Sequence, residues 1–296
     1  MSFEDVRRLW AATYAPEFEI DESIWTRNVV QHPTLVEVFE NDHAMAAIKS
    51  TRFEYGGDEN RFHLAALAFD DRAAGEAILK QVTAWASSQA ATVSLTFGQD
   101  SDHIWPGVPV DHSELSELLM GAGFTAGSEV VDLQRDLVGY LPRDPGCDAA
   151  EYRVATAEDE SGMFEYFDRE FPGRWRFDVM QQFYEDPARV FLWAPDGEVH
   201  GHALIQQDGT DHPIGGAVWR TSLGPNWGAL GSIGVSADRR GGGSGGRLLD
   251  AALQDLSRRG CRETIIDWTG LAAFYEKYGF EIRRRYYSAT FIPQVP

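Results

Sequence analysis

Ser232-Ile-Gly-Val-Ser-Ala-Asp-Arg-Arg-Gly-Gly-Gly-Ser-Gly-Gly-Arg-Leu-Leu249 reads as an apolar strand that runs through two arginines and a glycine-rich loop into an apolar helix. Gly241, Gly242, Gly243, Gly245 and Gly246 surround the single Ser244. Backbone without Cβ atoms turns its N–H groups inward and approaches an anion closely. The helix expected to start near Ser244 adds the partial positive charge of its N-terminus. Arg239, Arg240 and Arg247 bring formal charge to the same place. This combination suits a diphosphate rather than a bare metal or a sugar.

Three other readings of the loop fit less well. A flexible Gly-rich linker is not expected between directly flanking apolar strand and helix patterns. A P-loop ends in Gly-Lys-Ser/Thr, whereas Gly246 is followed by Arg247 and Leu248. Gly241, Gly243 and Gly246 satisfy Gly-x-Gly-x-x-Gly, and Asp267 stands where a dinucleotide fold places its ribose contact. That fingerprint needs an almost immediate strand-to-loop turn, but five residues separate Val235 from Gly241. The stretch after Asp267 is also too short for the remaining strands of a doubly wound sheet.

About thirty residues on comes Phe274-Tyr275-Glu-Lys-Tyr-Gly279-Phe280. With it, the arrangement resembles the GNAT superfamily of acetyl-CoA-dependent N-acetyltransferases. Arg240-Gly-Gly-Gly243-Ser-Gly245 matches that family's Arg/Gln-x-x-Gly-x-Gly/Ala motif, and the Phe-Tyr segment is similar to its second motif. Many members carry Asn seven residues before the tyrosine; here Trp268 stands there.

The resemblance implies acetyl-CoA as cosubstrate, cradled by Ile233, Val235, Arg240, Gly241, Gly243, Ser244 and Gly245. Backbone N–H groups around Ile233 and Val235 are then expected at the thioester carbonyl, where oxyanion charge develops. Tyr275 is the candidate acid for the departing thiolate. Asp267, ending a strand beside the expected gap, is the candidate base, with Glu263 on the same strand face. Phe171-Pro-Gly-Arg-Trp175 breaks helical pattern where a substrate would enter a fold of this kind. Arg174 and Trp175 there, and Trp219 of a second such pair, Trp219-Arg220, in the insert before the glycine strand, are the candidate substrate contacts. His200, His202 and His212 form no ligand set, and no metal site is expected.

Composition narrows the partners. The 296 residues carry 26 Lys+Arg against 46 Asp+Glu, a formal net charge of −20. Phosphate neutralisation needs Lys and Arg, so nucleic acid is not an expected partner. A small-molecule amine is, since an acidic surface favours cationic partners. Cys147 and Cys261 suggest neither a disulfide framework nor a zinc cluster. The start lacks an apolar signal core and no run approaches a membrane span, so a cytoplasmic location is expected.

The chain is long enough for two domains. The fold class expected is α/β (α+β), with two GNAT-like domains at residues 1–143 and 148–296. Each is expected to be a mixed, largely antiparallel sheet flanked by helices. In the second, strands 151–155, 190–194, 199–206, 227–235, 263–267 and 281–291 alternate with helices over 158–186, 245–259 and 271–278. Pro195-Asp-Gly197 marks a hairpin. In the first, strand 62–69, helix 73–90, strand 92–97, helix 114–120 and strand 130–137 repeat the later part of that order. Its loop holds Trp105-Pro-Gly-Val-Pro109, and Asp144-Pro-Gly146 is the expected linker. Where the second half has arginines and glycines, the first has Phe69-Asp-Asp-Arg-Ala-Ala-Gly75. Two aspartates repel a diphosphate, so this copy is expected to be structural. A non-catalytic acyl-CoA-binding module is the alternative for the whole chain, because the first half shows that such a repeat can lose its chemistry.

Overall fold

The computed structural model of the chain describes residues 1–14, 19–51, 61–89, 93–98, 102, 104, 107–143 and 151–293. The Trp105-Pro106 pair, the Asp144–Gly146 linker and Cys147 lie outside the described residues. Two compact units emerge. Among the described residues one holds 1–131 together with 284–293, and the other holds 132–283. The border therefore differs from the one expected at residues 144–147, and the last strand of the chain is divided between the units.

In the first unit, helices α1 (Phe3–Tyr14) and α2 (Glu22–Trp25) precede strands β1 (Leu35–Asn41), β2 (Ala44–Ser50) and β3 (Arg61–Phe69). Helix α3 (Arg72–Ser88), β4 (Ser94–Phe97), β5 (Val108–Pro109), α4 (Ser113–Gly121) and the first part of β6 (Thr125–Asp136) follow. β1, β2 and β3 form an antiparallel meander, and β3 pairs with β4 in parallel through Leu64↔Phe97. Leu64, Leu67, Ile78, Leu79, Val82, Leu95 and Phe97 are buried. The strand–helix–strand–helix–strand series read from the sequence is present, with β6 beginning earlier than expected. Residues 1–51, where no elements were expected, supply α1, α2, a π-helical turn at Thr26–Val30, β1 and β2.

The second unit runs β7 (Tyr152–Val154), α5 (Glu160–Glu170), α6 (Arg174–Glu185), β8 (Val190–Trp193) and β9 (Gly201–Gln207). Then come β10 (Trp227–Val235), α7 (Ser244–Arg258), β11 (Glu263–Thr269), α8 (Ala272–Tyr275) and β12 (Glu281–Phe291). β12 enters at residues 281–283, and its remainder belongs to the first unit. β7, β8, β9 and β10 are antiparallel neighbours, and β10 pairs with β11 in parallel. The expected helix over 158–186 is two helices, broken at Pro172-Gly173, where the loss of an amide donor and a backbone at φ 90 end the first. Met163, Tyr166, Phe167, Val179 and Phe183 from α5 and α6 pack with Val190, Leu192 and Leu204 of β8 and β9. α7 buries Leu248, Leu249, Ala252, Leu253 and Leu256, one helical face at i, i+1, i+4, i+5 and i+8. Its N-terminus is thereby held just beyond the end of β10.

Both units are mixed, largely antiparallel sheets flanked by helices. Among the described residues no helix is long and apolar enough to cross a membrane, and no group of three or more His, Cys, Asp or Glu could hold a metal ion.

Candidate active site

The site begins where a strand pair stops. β10 and β11 pair from Trp227↔Glu263 to Leu230↔Ile266, and no further. On its other side β10 pairs with β9, but the register shifts between Gly231 and Gly234. Ser232 and Ile233 are thus in register with neither neighbour. Ser232 sits at φ 42, a left-handed conformation that non-glycine residues adopt at some cost. The bulge and the parting of β10 from β11 open a gap in the sheet.

A cavity of about 450 Å³ occupies this region. Ile233, Gly234 and Val235 form one wall, Arg240 and residues 241 and 243–246 another, and Phe171, Trp175, Leu271, Phe274 and Tyr275 the rest. All seven residues expected to hold the cofactor line it. Sequence reasoning did not assign Phe171, Leu271 or Phe274 to the wall. The first and last belonged to quoted motifs, but nothing local tells a lining ring from a core ring.

The loop is built to leave donors free. Gly243 is the N-cap of α7 at φ 81 and contributes no side-chain cap, so the first helical N–H groups keep no side-chain acceptor. Gly241 also has positive φ, at 84. The first helical bond runs from the Arg247 N–H to the Gly243 carbonyl. Among the described residues no acceptor meets the N–H groups of residues 241–246. The strut of the loop comes from elsewhere. Arg240 donates from Nε to the Val235 carbonyl at 3.0 Å, and Ser244 donates to the Arg239 carbonyl. Ala237 N–H donates to the Glu170 carboxylate at 2.8 Å, and that bond holds the Glu170 pKa below the usual carboxylate range. Arg240 makes no ion pair with a described carboxylate. Gly246 has a different purpose from the others, since a Cβ there would overlap the Tyr278 hydroxyl at 1.9 Å.

Tyr275 is 4% exposed and packs edge-on against Phe274 and Phe280. Its hydroxyl has no hydrogen-bond partner among the described residues. Burial, reinforced by the charge of Asp267, pushes its pKa up to about 12. A phenol in this state is a donor throughout the physiological range.

The remaining candidates are not all brought to the cavity. Asp267 is outside its lining. Its carboxylate packs against Gly215 and Gly216, where added Cβ atoms would lie 2.8 Å from Oδ1 and 3.1 Å from the Asp267 Cβ. Those glycines begin the 3₁₀ segment Gly215–Ser222, which covers Trp227, Ala229 and Ile265 through Ala217. Glu263, at the far end of β11, accepts the Gly224 N–H and belongs to that turn. Trp175 lines the cavity, stacked on Phe171 at 5.2 Å, and is 38% exposed. Arg174 turns away from the lining, donating to Asp178 at 3.1 Å and lying 4.6 Å above the Trp268 ring. Trp268, at φ 45, donates its N–H to the buried Asp132 at 3.1 Å. The Trp219 side chain lies outside what the structure describes.

Residues 160–280 match the family model described as Acetyltransferase (GNAT) family. No curated protein matches the sequence. Among solved structures, a GCN5-related glucosamine N-acetyltransferase region of a fungal multi-domain GH3 β-N-acetylglucosaminidase matches 97% of this chain with TM-score 0.82 and 18% identity. This chain spans 36% of that protein's length. A GCN5-related N-acetyltransferase from Sphaerobacter thermophilus matches at TM-score 0.65 and 17% identity, over 98% of this chain and 93% of that one. A tandem GNAT protein from the clavulanic acid biosynthesis pathway matches at TM-score 0.64 and 14% identity, over 99% and 94%. At such identities the likeness is one of fold.

Proposed function

We propose, from the match of residues 160–280 to the GNAT acetyltransferase family model, that this chain transfers an acetyl group from acetyl-CoA to a primary amine on a small molecule by direct attack. One observation carries the proposal. A run of backbone donors at residues 241–246 that meet no acceptor among the described residues, with Arg240, which makes no ion pair with a described carboxylate, opens onto the same cavity as the parted strand end and a protonated tyrosine.

In this reading residues 241–246 and Arg240 hold the diphosphate of acetyl-CoA. The gap beside residues 232–235 takes the pantetheine arm and presents N–H groups to the carbonyl oxygen as negative charge develops there. The amine nitrogen bonds to the acetyl carbon while the carbon–sulfur bond breaks. Tyr275 donates to the departing thiolate, and the ammonium proton leaves by way of water to Asp267. Among the described residues the first unit has no counterpart of the glycine run at 241–246, and this reading therefore places one acetyl-CoA per chain, in the second unit. We propose that the first unit is a degenerate copy.

Amino sugars head the acceptors to test. The solved structure at TM-score 0.82 is that of a glucosamine N-acetyltransferase region, and Trp175 offers a half-open aromatic face at the cavity edge. The net charge of −20 supports a small cationic acceptor over nucleic acid.

The second reading is a non-catalytic acyl-CoA-binding module. It is favoured by the absence of Asp, Glu and His from the cavity lining among the described residues. Titration with acetyl-CoA, NAD and ATP, followed by an amine panel read through released CoA thiol, separates the readings. Acetyl-CoA binding with turnover supports the transferase. Binding without turnover on any amine leaves the module, and preference for NAD or ATP overturns both.

A further inference from the structure

His202 of β9 is fully buried and stands in register opposite Gly234, the first paired residue after the β10 bulge. Tyr166 of α5 joins the two. Its hydroxyl donates to the Gly234 carbonyl at 3.2 Å and lies 2.9 Å from His202 Nδ1. A phenol has one proton, and a carbonyl oxygen only accepts. With that proton directed to Gly234, the imidazole must donate Nδ1–H to the phenol oxygen. In this arrangement Nδ1 carries the proton and Nε2 the lone pair.

Nε2 has no partner. Around the imidazole stand the rings of Phe167 at 4.6 Å, Phe171 at 5.3 Å and Trp175 at 5.8 Å, each edge to face. Burial pulls the His202 pKa down to about 3, so the ring stays neutral. An unpaired buried nitrogen is costly, and an aliphatic side chain would fill the same apolar space without that cost. The compensating use of the imidazole lies at its other nitrogen.

We propose that His202 is a positioning residue for acyl transfer, orienting Tyr166 so that its hydroxyl holds the Gly234 carbonyl and thereby sets the direction of the Val235 N–H. The link is covalent geometry. Gly234 C=O and Val235 N–H share one planar trans peptide and point opposite ways. Gly234 and Val235 both line the cavity. A Cβ on Gly234 would come within 2.6 Å of Phe171 Cζ and 3.0 Å of His202 Cε1, so the Gly234 end of this peptide is closely enclosed. The inference rests on the acetyl-CoA reading above.

The test uses the full chain and [1-¹³C]acetyl-CoA, with isotope-edited infrared spectra of the bound thioester and CoA titration as the control for a folded site. The wild-type carbonyl band should move to lower frequency on binding. Tyr166→Phe and His202→Leu should lose that shift, with CoA affinity within about threefold of wild type. His202→Asn should keep it, because the Asn amide places an N–H donor near the position of Nδ1. A role in packing alone predicts the reverse order, Leu tolerated and Asn not. If His202→Leu or Tyr166→Phe binds acetyl-CoA with the wild-type band, the inference fails while the cofactor reading stands. If wild type binds acetyl-CoA with no band shift, the inference again fails alone. If wild type does not bind acetyl-CoA, both fall together.

Discussion

Replacing Tyr275 with Phe keeps the ring and deletes one hydroxyl that has no partner among the described residues. Stability should therefore change by less than about 0.5 kcal/mol, since no buried acceptor is orphaned. The effect on turnover follows from the pKa. Tyr275 is held near 12 chiefly by burial and then by Asp267, whereas a free thiol titrates near about 8.5. Complete transfer between groups about 3.5 units apart is uphill by roughly 4.8 kcal/mol. The same burial raises the thiol when it occupies the site, so the gap narrows without vanishing. The hydroxyl then acts mainly as a charge-assisted hydrogen-bond donor, worth about 1.5–3 kcal/mol, or roughly 10- to 200-fold in rate. We expect Tyr275→Phe to lower kcat by about a hundredfold, read as CoA thiol released with an established acceptor. The KM for acetyl-CoA should be nearly unchanged, because the charge it serves exists only as the thiolate leaves. Full turnover would refute the role, and unfolding would favour a packing role. The sign of the pH effect is also set. A tyrosine whose folded pKa lies above its unfolded value keeps its full contribution to stability below about pH 10 and loses it as pH rises toward about 12. Tyr275→Phe should remove that alkaline loss, which chemical denaturation at matched pH would show.

Three further outcomes follow from the site. Gly243→Asp places a carboxylate at the mouth of the donor run, and acetyl-CoA affinity measured by calorimetry should fall more than about a hundredfold, with the circular dichroism of the fold retained. Gly234→Ala forces a Cβ to 2.6 Å from Phe171 Cζ. The ring is held by Trp175, so overpacking should cost about 1–3 kcal/mol, visible as a lowered Tm. Cys261 is buried, with its thiol pushed up to about 11. In a Cys147→Ser background it should resist a thiol reagent at about pH 8 and react fully once the protein is denatured.

The parts legible in the sequence were those whose chemistry is local. A diphosphate cradle needs consecutive bare peptides and a helix start, so Arg240–Gly246 announced itself within seven residues. β10, α7 and β11 followed from their apolar patterns. Long-range packing left no such mark. Strand alternation gave the face of Asp267 but not its neighbour, because Gly215 and Gly216 arrive from an irregular segment some fifty residues away. Arg174 and Trp175 are adjacent in the chain, yet one turns to Asp178 and Trp268 and the other to the cavity. Tyr166 and His202 meet across 36 positions. The sequence shows His202 only as a histidine outside any ligand set, because its partner is invisible to any local pattern. The assignment of residues 284–293 to the first unit likewise depends on pairings such as Ala289↔Phe97, which no linker composition reveals.

The two units share one device and finish it differently. In each, a strand pairs in parallel with the strand beyond the following helix, and the pairing spans four positions, Arg61–Leu64 with Ser94–Phe97 and Trp227–Leu230 with Glu263–Ile266. Each intervening helix starts beyond the end of its strand. At α3 the N-cap is Asp71, whose carboxylate accepts the Ala74 N–H at 2.8 Å. Asp70 beside it is engaged by His43 and Arg8. Gly75 is needed there for packing, since a Cβ would press on Phe69 and Leu118 at 3.0 and 3.1 Å. That helix start is closed by an internal anion. At α7 the N-cap is Gly243 and supplies none. Glycine in place of aspartate at an N-cap forgoes a few tenths of a kcal/mol, and it leaves the first helical N–H groups without an internal acceptor. At α3 the N-cap backbone is extended and an aspartate fits, whereas Gly243 at φ 81 holds the left-handed conformation that glycine adopts freely. Retaining glycine at α7 makes sense when an external anion completes the cap, so the difference between Asp71 and Gly243 is itself an argument that the second unit binds a phosphate and the first does not.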